Sequence, residues 1–183
     1  AEERTIEAVS DGGYTLKLNE RLHFDHHGDG YPDPNTGEDL VPEYRAEVAL
    51  LSRNVVVQGD DLSKSQQFGA QIVFASSQLY DNSIIGRLAN IEVRQTGQGM
   101  KLGKYPIHFH MVGNVPKSYV RNCTVHHANN RAIAVHGVND LELSWNVNFD
   151  VRGHAVFIED GTEVRNVFRN NLVAVVRPIW SLL

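Results

Sequence analysis

Short fragments of one pattern recur along this chain, and this repetition restricts the possible folds more than any other feature of the sequence. Each fragment places an asparagine just before an apolar pair. The asparagines are Asn54, Asn90, Asn122, Asn146 and Asn170, and the last three are each 24 residues apart. Similar fragments at a spacing of this size are typical of solenoids, in which each repeat stacks on the next.

A second set of fragments repeats with a similar spacing. Residues 105–110 align with residues 131–136 at an offset of 26, and those align with residues 154–159 at an offset of 23. A period of ~22–26 residues with two or three short strands suits one coil of a parallel β-helix, whose coils stack about 4.8 Å apart. We therefore predict two inward-facing apolar ladders. They consist of Ile107, Ile133 and Val156, and of Phe109, Val135 and Ile158.

The asparagines are predicted to form a further inward-facing ladder at a corner of the coil. Their amides would bond to one another and to the backbone of the turn. Asn122 also begins the sequence Asn-Cys-Thr, which is an acceptor motif for N-glycosylation. An inward-facing Asn122 cannot carry a glycan, so we expect it to be unmodified.

The predicted fold is all-β: a parallel β-helix with irregular N-terminal strands and a loop. Residues 1–24 form two strands around a turn at residues 11–13, and residues 25–42 form a polar loop. We place the N-terminal section at residues 1–46 and the coils at residues 47–183. Because the apolar tail has no polar cap, we expect the coils to continue beyond Leu183 or the end to pack on something else. The alternatives are a β-sandwich with coincidental spacing and leucine-rich repeats, whose own sequence pattern is absent.

Composition disfavours several classes of function. The net charge of -5 and the pI near 6.0 disfavour a general binder of nucleic acids or of anionic membranes. No apolar run approaches the ~20 residues that a membrane-spanning helix needs, so we predict no direct membrane insertion. The single cysteine, Cys123, cannot form an internal disulfide and is expected to be a small buried apolar residue.

Histidines and a carboxylate converge on one predicted ladder. His108 and His110 lie two apart on a strand and so face the same side, and the alignment stacks His110, His136 and Glu159 on neighbouring coils. Their strand neighbours belong to the inward ladders, so this set should face outward. Together, His108, His110, His136 and Glu159 would suit Zn²⁺ or a similar ion. Two alternatives stay open: a catalytic or glycan-binding role without metal, and a purely structural polar ladder.

A parallel ladder of Tyr105, Arg131 and His154 is predicted at the strand entrances, where Arg131 could bind a uronate carboxylate. We predict His136, Glu159, His154 and Arg131 as catalytic residues. Hydrolysis would use His136 as base and Glu159 as acid, whereas a lyase reaction would use His136 as base and Arg131 as the neutralising cation. The sequence leaves both reactions open, and the alternative for Arg131 is a surface stack at a coil corner.

The loop at residues 25–39 is rich in oxygen ligands. They are Asp25, Asp29, Asp33, Asn35, Glu38 and Asp39. Loops of this kind can bind Ca²⁺, but this one lacks the spacing of an EF-hand, and a solvated acidic loop is the other interpretation. The sequence identifies no specific cofactor, and a divalent metal, Zn²⁺ or Ca²⁺, is the candidate.

Four segments, taken in order, resemble a known family: LGKYPIHFHMVG, SYVRNCTVHH, NRAIAVHGVNDL and GHAVFIEDGTEVRNVFRNNL. They are similar to extracellular proteins that carry an eight-glycine domain, among them the cell-migration-inducing and transmembrane hyaluronidases and the fibrocystin-like proteins. Residues 5–13 and 45–59 also resemble the region that follows that domain. The resemblance implies a right-handed parallel β-helix in an extracellular or cell-surface setting. Some members depolymerise hyaluronan, whereas others look like receptors or adhesive coat proteins.

Two functions follow as hypotheses. The first is a module that binds or depolymerises a hyaluronan-like polysaccharide, with the polysaccharide or another extracellular protein as partner and no nucleic acid. The second is a non-catalytic structural or adhesive segment of a large cell-surface or ciliary-coat protein, in which the same polar ladder serves as scaffold.

Overall fold

The computed structural model describes residues 1–38 and 45–179. The chain forms two compact units, residues 1–48 and residues 49–183. Asp39 of the acidic loop and the last four residues of the apolar tail lie outside the described residues. Among the residues that the structure describes, no helix has the length and apolar character needed to cross a membrane.

The first unit contains one antiparallel strand pair. Strands β1 (Ile6–Ser10) and β2 (Thr15–Leu18) pair across a short 3-10 turn at Asp11–Gly13. Gly12 and Gly13 have φ angles of 67° and 103°, a region that glycine enters without steric cost. The predicted pair of strands around this turn is therefore confirmed, with shorter strands than the sequence indicated.

In the acidic loop of the first unit, an aspartate side chain bonds to the backbone of the same loop. The Asp33 carboxylate accepts a hydrogen bond from the Asn35 backbone N–H at 2.7 Å, an arrangement that favours a turn. Within residues 1–38, no three carboxylate or imidazole groups come close enough together to hold a metal ion. The Ca²⁺ interpretation thus gains no support from the described part of the loop.

The second unit is a parallel β-helix, as the repetition predicted. Each complete coil contributes one strand to each of three parallel sheets, whose strand orders are β4-β7-β10-β13, β5-β8-β11-β14 and β3-β6-β9-β12-β15. A one-turn helix, α1 (Ser63–Gln66), lies between β3 and β4. The strands are β3 (Val55–Gln58), β4 (Ile72–Ala75), β5 (Arg87–Ala89), β6 (Ile91–Arg94), β7 (Ile107–Asn114), β8 (Tyr119–Arg121), β9 (Thr124–Ala128), β10 (Ile133–Asn139), β11 (Glu142–Ser144), β12 (Val147–Arg152), β13 (Val156–Ile158), β14 (Val167–Arg169) and β15 (Leu172–Arg177).

Both predicted apolar ladders are confirmed. Ile133 pairs in register with Ile107 on one side and with Val156 on the other, and Val135 pairs likewise with Phe109 and Ile158. Side chains at these positions fill the interior of the coils, where the four residues of β7 and β10 are fully buried. The parallel pairing between coils excludes the β-sandwich alternative, whose sheets are antiparallel.

The asparagine ladder was predicted wrongly. Ser144 pairs with Arg121 and Arg169, so the next positions, Asn122, Trp145 and Asn170, stack on one another. Asn122 and Asn170 are exposed, with φ angles of 52° and 55°, because asparagine tolerates the left-handed conformation that this corner needs. Asn54 and Asn90 are exposed as well.

The inward-facing amides lie one position further along. Asn146 is buried, and its side chain bonds to the Val120 carbonyl at 2.9 Å and to the Cys123 N–H and the Asn171 Oδ1, each at 3.0 Å. The spacing of 24 residues had equated Asn146 with Asn122, although the true register pairs it with Cys123. Asn122 is exposed, so the predicted absence of a glycan on it has no basis in burial.

Candidate functional site

The candidate site lies on the outer side of the sheet β4-β7-β10-β13. His110 in β7 pairs in register with His136 in β10. Glu159 directly follows the end of β13, and its N–H donates to the Val135 carbonyl at 3.0 Å. The predicted stack of His110, His136 and Glu159 over three coils is therefore present.

Three imidazoles meet at this point, and we call His108, His110 and His136 the histidine cluster. Each offers one ring nitrogen, and these nitrogens lie within 4.8 Å of one another. The Nδ1 atoms of His110 and His136 are 3.2 Å apart. The rings of His108 and His136 are nearly parallel, with centroids 6.2 Å apart. Among residues 1–38 and 45–179, this is the one group of three or more such side chains close enough together to hold a metal ion.

His108 is held in one orientation by its backbone neighbour. Its Nδ1 lies 3.1 Å from the Gly103 carbonyl, and a carbonyl only accepts, so Nδ1 carries the proton. The residue paired with it in β10 is Ala134, whose small side chain leaves space beside the ring. Burial, followed by the positive charge that His110 would carry, lowers the pKa of His108 to about 4, so its ring is neutral at neutral pH.

Two carboxylates approach His136 from the next coil. The Glu159 Oε2 is 3.6 Å from His136 Nδ1, and the Asp160 Oδ2 is 3.4 Å from His136 Nε2. Adjacent residues in a strand would face opposite sides, but β13 ends at Ile158 and the chain bends at residues 159 and 160. The bend lets both carboxylates face the same imidazole, which an extended strand would not permit.

A buried hydrogen-bond chain supports Glu159 from behind. The Tyr105 hydroxyl donates to Glu159 Oε1 at 3.3 Å and accepts from Arg131 NH1 at 2.9 Å. Burial, together with the negative charge of Glu159, raises the pKa of Tyr105. Arg131 is only 5% exposed, and its guanidinium stacks on the Phe157 ring at 3.7 Å. The predicted contact between Arg131 and a uronate stays a prediction, since the structure links this side chain to the site through Tyr105.

Among the predicted site residues, His154 is linked to the histidine cluster through the largest number of intervening side chains. It is exposed, and its ring lies 5.1 Å from the Phe157 ring, which in turn stacks on Arg131. Partial burial and the positive charge of Arg131 lower the pKa of His154. A catalytic role for His154 stays a prediction.

An irregular corner follows the histidines and shapes the edge of the site. The pairing of β7 with β10 shifts register just after His110 and His136, which is a β-bulge. Gly137 has a φ of 59°, and a Cβ at this position would lie 3.0 Å from the Tyr80 ring. Glycine is needed here both for the backbone conformation and for this close approach.

Sequence reasoning missed a second buried pair, in the sheet β3-β6-β9-β12-β15. The His126 Nε2 lies 3.1 Å from the Glu92 Oε1, and both side chains are buried. The signal was available, because Glu92 pairs in register with Thr124, which faces the same side of β9 as His126. Their strand neighbours Val93 and Val125 belong to the apolar core, so this pair lies on the outer side of its sheet, which is a different sheet from that of the histidine cluster.

The chain matches the family model described as CEMIP beta-helix over residues 67–183. It is 33% identical to Fibrocystin-L of Homo sapiens over 215 aligned residues, which cover 100% of this chain and 5% of that protein. Protein rliB of Dictyostelium discoideum is 40% identical over 75% of this chain and 12% of its own length. Cell surface hyaluronidase of Danio rerio is 34% identical over 74% of this chain and 11% of its own length. The chain thus spans a small part of each of these relatives.

Proposed function

Because the chain belongs to the CEMIP β-helix family, we propose that it is an extracellular or cell-surface module that binds and depolymerises a hyaluronan-like polysaccharide. The substrate would lie along the outer side of the sheet β4-β7-β10-β13 and contact the histidine cluster, Glu159 and Asp160. The name of one relative, the cell surface hyaluronidase of Danio rerio, supports this class of substrate. The polysaccharide, or another extracellular protein, is the proposed partner.

One observation carries the proposal: His136 contacts two carboxylates and a second imidazole within 3.6 Å. An imidazole that shares protons with carboxylates can take a proton from one atom of a substrate and return it to another. In hydrolysis His136 acts as base and Glu159 as acid. In an elimination His136 acts as base, and a cation neutralises the uronate.

Positive charge for a uronate is available next to the cluster. Lys104 is exposed, lies four residues before His108 in the chain, and contributes through its positive charge to the lowered pKa of His108. Lys104 therefore joins Arg131 as a candidate partner for the carboxylate of a uronate ring. Since Arg131 is buried behind Tyr105, Lys104 is the better placed of the two to meet a substrate.

The test measures reducing ends released from hyaluronan, chondroitin and heparan by this chain and by its His136→Ala variant. We expect turnover of at least one of these glycans, and a loss of about 100-fold or more in the variant, which is the usual contribution of a positioned acid or base. His23→Ala, in the first unit, is the matched control and should retain turnover. If the chain cleaves none of the three glycans, the proposal is overturned.

A structural or adhesive role is the second candidate, and the hydrogen-bond chain from Arg131 through Tyr105 to Glu159 favours it. That chain joins three coils through two hydrogen bonds, as a scaffold would require. In this case His136→Ala should lower the free energy of unfolding by about 1–3 kcal/mol, and no glycan should be cleaved by either protein.

A further inference from the structure

We infer that His108, His110 and His136 bind one divalent transition-metal ion, and that zinc is the ion best suited to them. The inference does not rest on the proposed function, because such a centre can hold coils together as well as act on a substrate. An ion bound to His136 would occupy the lone pair that the proposed reaction uses as base, and a water on the ion, whose pKa zinc lowers, would then supply the base. It rests on the state of each imidazole, on their separation, and on a carboxylate beside them.

His108 has one ring nitrogen bonded to the backbone and the other without a hydrogen-bond partner, which is the state expected of a metal ligand. Its Nδ1 is occupied by the Gly103 carbonyl, and its Nε2 is buried without a hydrogen-bond partner, on a side chain that is 4% exposed. A buried, unpaired polar nitrogen is costly, so a residue in this state needs an explanation. Metal-binding histidines commonly donate one ring N–H to a backbone carbonyl, which leaves the other nitrogen free for the ion.

The separation of the other two imidazoles fits the same ion. The Nδ1 atoms of His110 and His136 face each other at 3.2 Å. Two nitrogens bound at ~2.0–2.1 Å to a tetrahedral ion lie ~3.3 Å apart. Without a cation, one neutral ring must donate its Nδ1–H to the Nδ1 of the other. A cation instead accepts the lone pairs of both nitrogens.

Glu159 completes the surroundings of the cluster. Its Oε1 is bonded to Tyr105, while its Oε2 is buried without a hydrogen-bond partner and lies 3.6 Å from His136 Nδ1. A free carboxylate oxygen next to three imidazoles can bind the ion directly or hydrogen bond to a water on it. Either contact gives a partner to an oxygen that otherwise has none.

The donor set separates zinc from calcium. Calcium takes six to eight oxygen ligands, and three imidazoles supply none of them. Zinc accepts three imidazoles and keeps a fourth position for water or a carboxylate. The centre we infer is therefore a three-histidine zinc site, with Glu159 at or beside its fourth position.

The test titrates Zn²⁺ into this chain after removal of metals with a chelator, by calorimetry and in the absence of any glycan. We expect one equivalent to bind, and a loss of affinity of at least ~10-fold in His108→Asn and in His110→Asn, since even the outer partners of a metal site contribute that much. His23→Asn is the matched control and should bind as the unchanged chain does. Absence of a stoichiometric site, or equal affinity in His108→Asn, would overturn the inference.

A second measurement covers the case in which a variant does not fold. Histidine-ring NMR signals of the unchanged chain are recorded with and without one equivalent of Zn²⁺. The signals of His108, His110 and His136 should move together, and those of His126 should stay in place. Movement confined to other histidines would overturn the inference. Because no glycan is present, neither measurement depends on turnover.

Discussion

At the scale of single residues, the site depends on how each polar atom behind Glu159 is satisfied. Tyr105 is fully buried, and its hydroxyl connects Arg131 to the Glu159 carboxylate. Phenylalanine at this position would keep the ring, so the hydroxyl can be removed while the packing of the ring is retained. Tyr105 is therefore a positioning residue for Glu159.

Tyr105→Phe should lower the free energy of unfolding by about 1–3 kcal/mol, because a buried donor of Arg131 loses its acceptor. It should also reduce glycan turnover, since Glu159 loses its orienting bond. Chemical denaturation and a reducing-end assay measure the two effects. Tyr119→Phe is the matched control: Tyr119 contacts Arg121 through its ring at 4.2 Å, which phenylalanine retains, so a change within ~0.5 kcal/mol is expected. Equal effects of the two substitutions would contradict this role.

Several residues of the site were predictable, and the reasons are local. His108 and His110 share a face because they lie two apart in a strand, and His136 follows from the offset of 26 residues. The contact between Asp160 and His136 was not predictable, because it depends on the bend after Ile158. The burial of Arg131 was also hidden, because the aromatic rings that cover it come from two other coils.

At the scale of elements, two kinds of asparagine occur at the corner between the sheets β5-β8-β11-β14 and β3-β6-β9-β12-β15. Asn122 adopts a left-handed conformation and faces solvent, whereas Asn146 is buried and bonds to the backbone of the coil before it. The repeated fragments could not distinguish them, because each kind is followed by apolar residues. Their difference is energetic and can be measured.

Asn146→Ala should lower the free energy of unfolding by about 1–3 kcal/mol, because it leaves the Cys123 N–H and the Val120 carbonyl without their partner. Asn122→Gly is the matched control. Glycine accepts the same backbone conformation, so a change of about 0.5 kcal/mol or less is expected. Denaturant titration of both variants checks this. A larger loss for Asn122→Gly than for Asn146→Ala would restore the ladder that the sequence predicted.

The sheet β5-β8-β11-β14 carries an ion-pair ladder around one carboxylate. Glu142 in β11 is bonded to Arg121 in β8, to the Ser144 hydroxyl, and to Arg169 in β14, the last two at 2.8 Å. The bonds from Arg121, then Ser144 and Arg169, lower the pKa of Glu142 to about 2 from an ordinary value of 4.5. Both arginines are largely exposed, so water screens part of this interaction.

The direction of the pH effect follows from that lowered pKa. The folded protein holds Glu142 ionised more strongly than the unfolded chain does, so its contribution is present above pH 4.5 and is lost as the pH falls toward 2. Glu142→Gln should therefore melt at a lower temperature at pH 7, and the difference from the unchanged chain should shrink between pH 5 and about pH 2. Thermal unfolding over this range measures the difference. Asp61→Asn is the control, because Asp61 is an exposed carboxylate in a turn outside this sheet. A difference that stays constant with pH would contradict the prediction.

At the scale of the whole molecule, the proposed function depends on the stacking of coils, which brings together His108, His110, His136, Glu159 and Asp160. The sequence predicts this stacking because the interior ladders repeat with the coils. It does not predict the bulge after His110, since an extra residue at a corner leaves no trace in the apolar pattern. The wrong asparagine register has the same origin, because the length of a corner varies from coil to coil.

The central claim is that the histidine cluster is where a glycan binds, and histidine-ring NMR during a titration with hyaluronan oligosaccharides tests it most directly. The nine histidines divide into those of the cluster and those elsewhere, which serve as internal controls. The account predicts saturable shifts for His110 and His136, with no change for His23 and His126. Saturable binding that shifts other histidines and leaves His110 and His136 unchanged would contradict it.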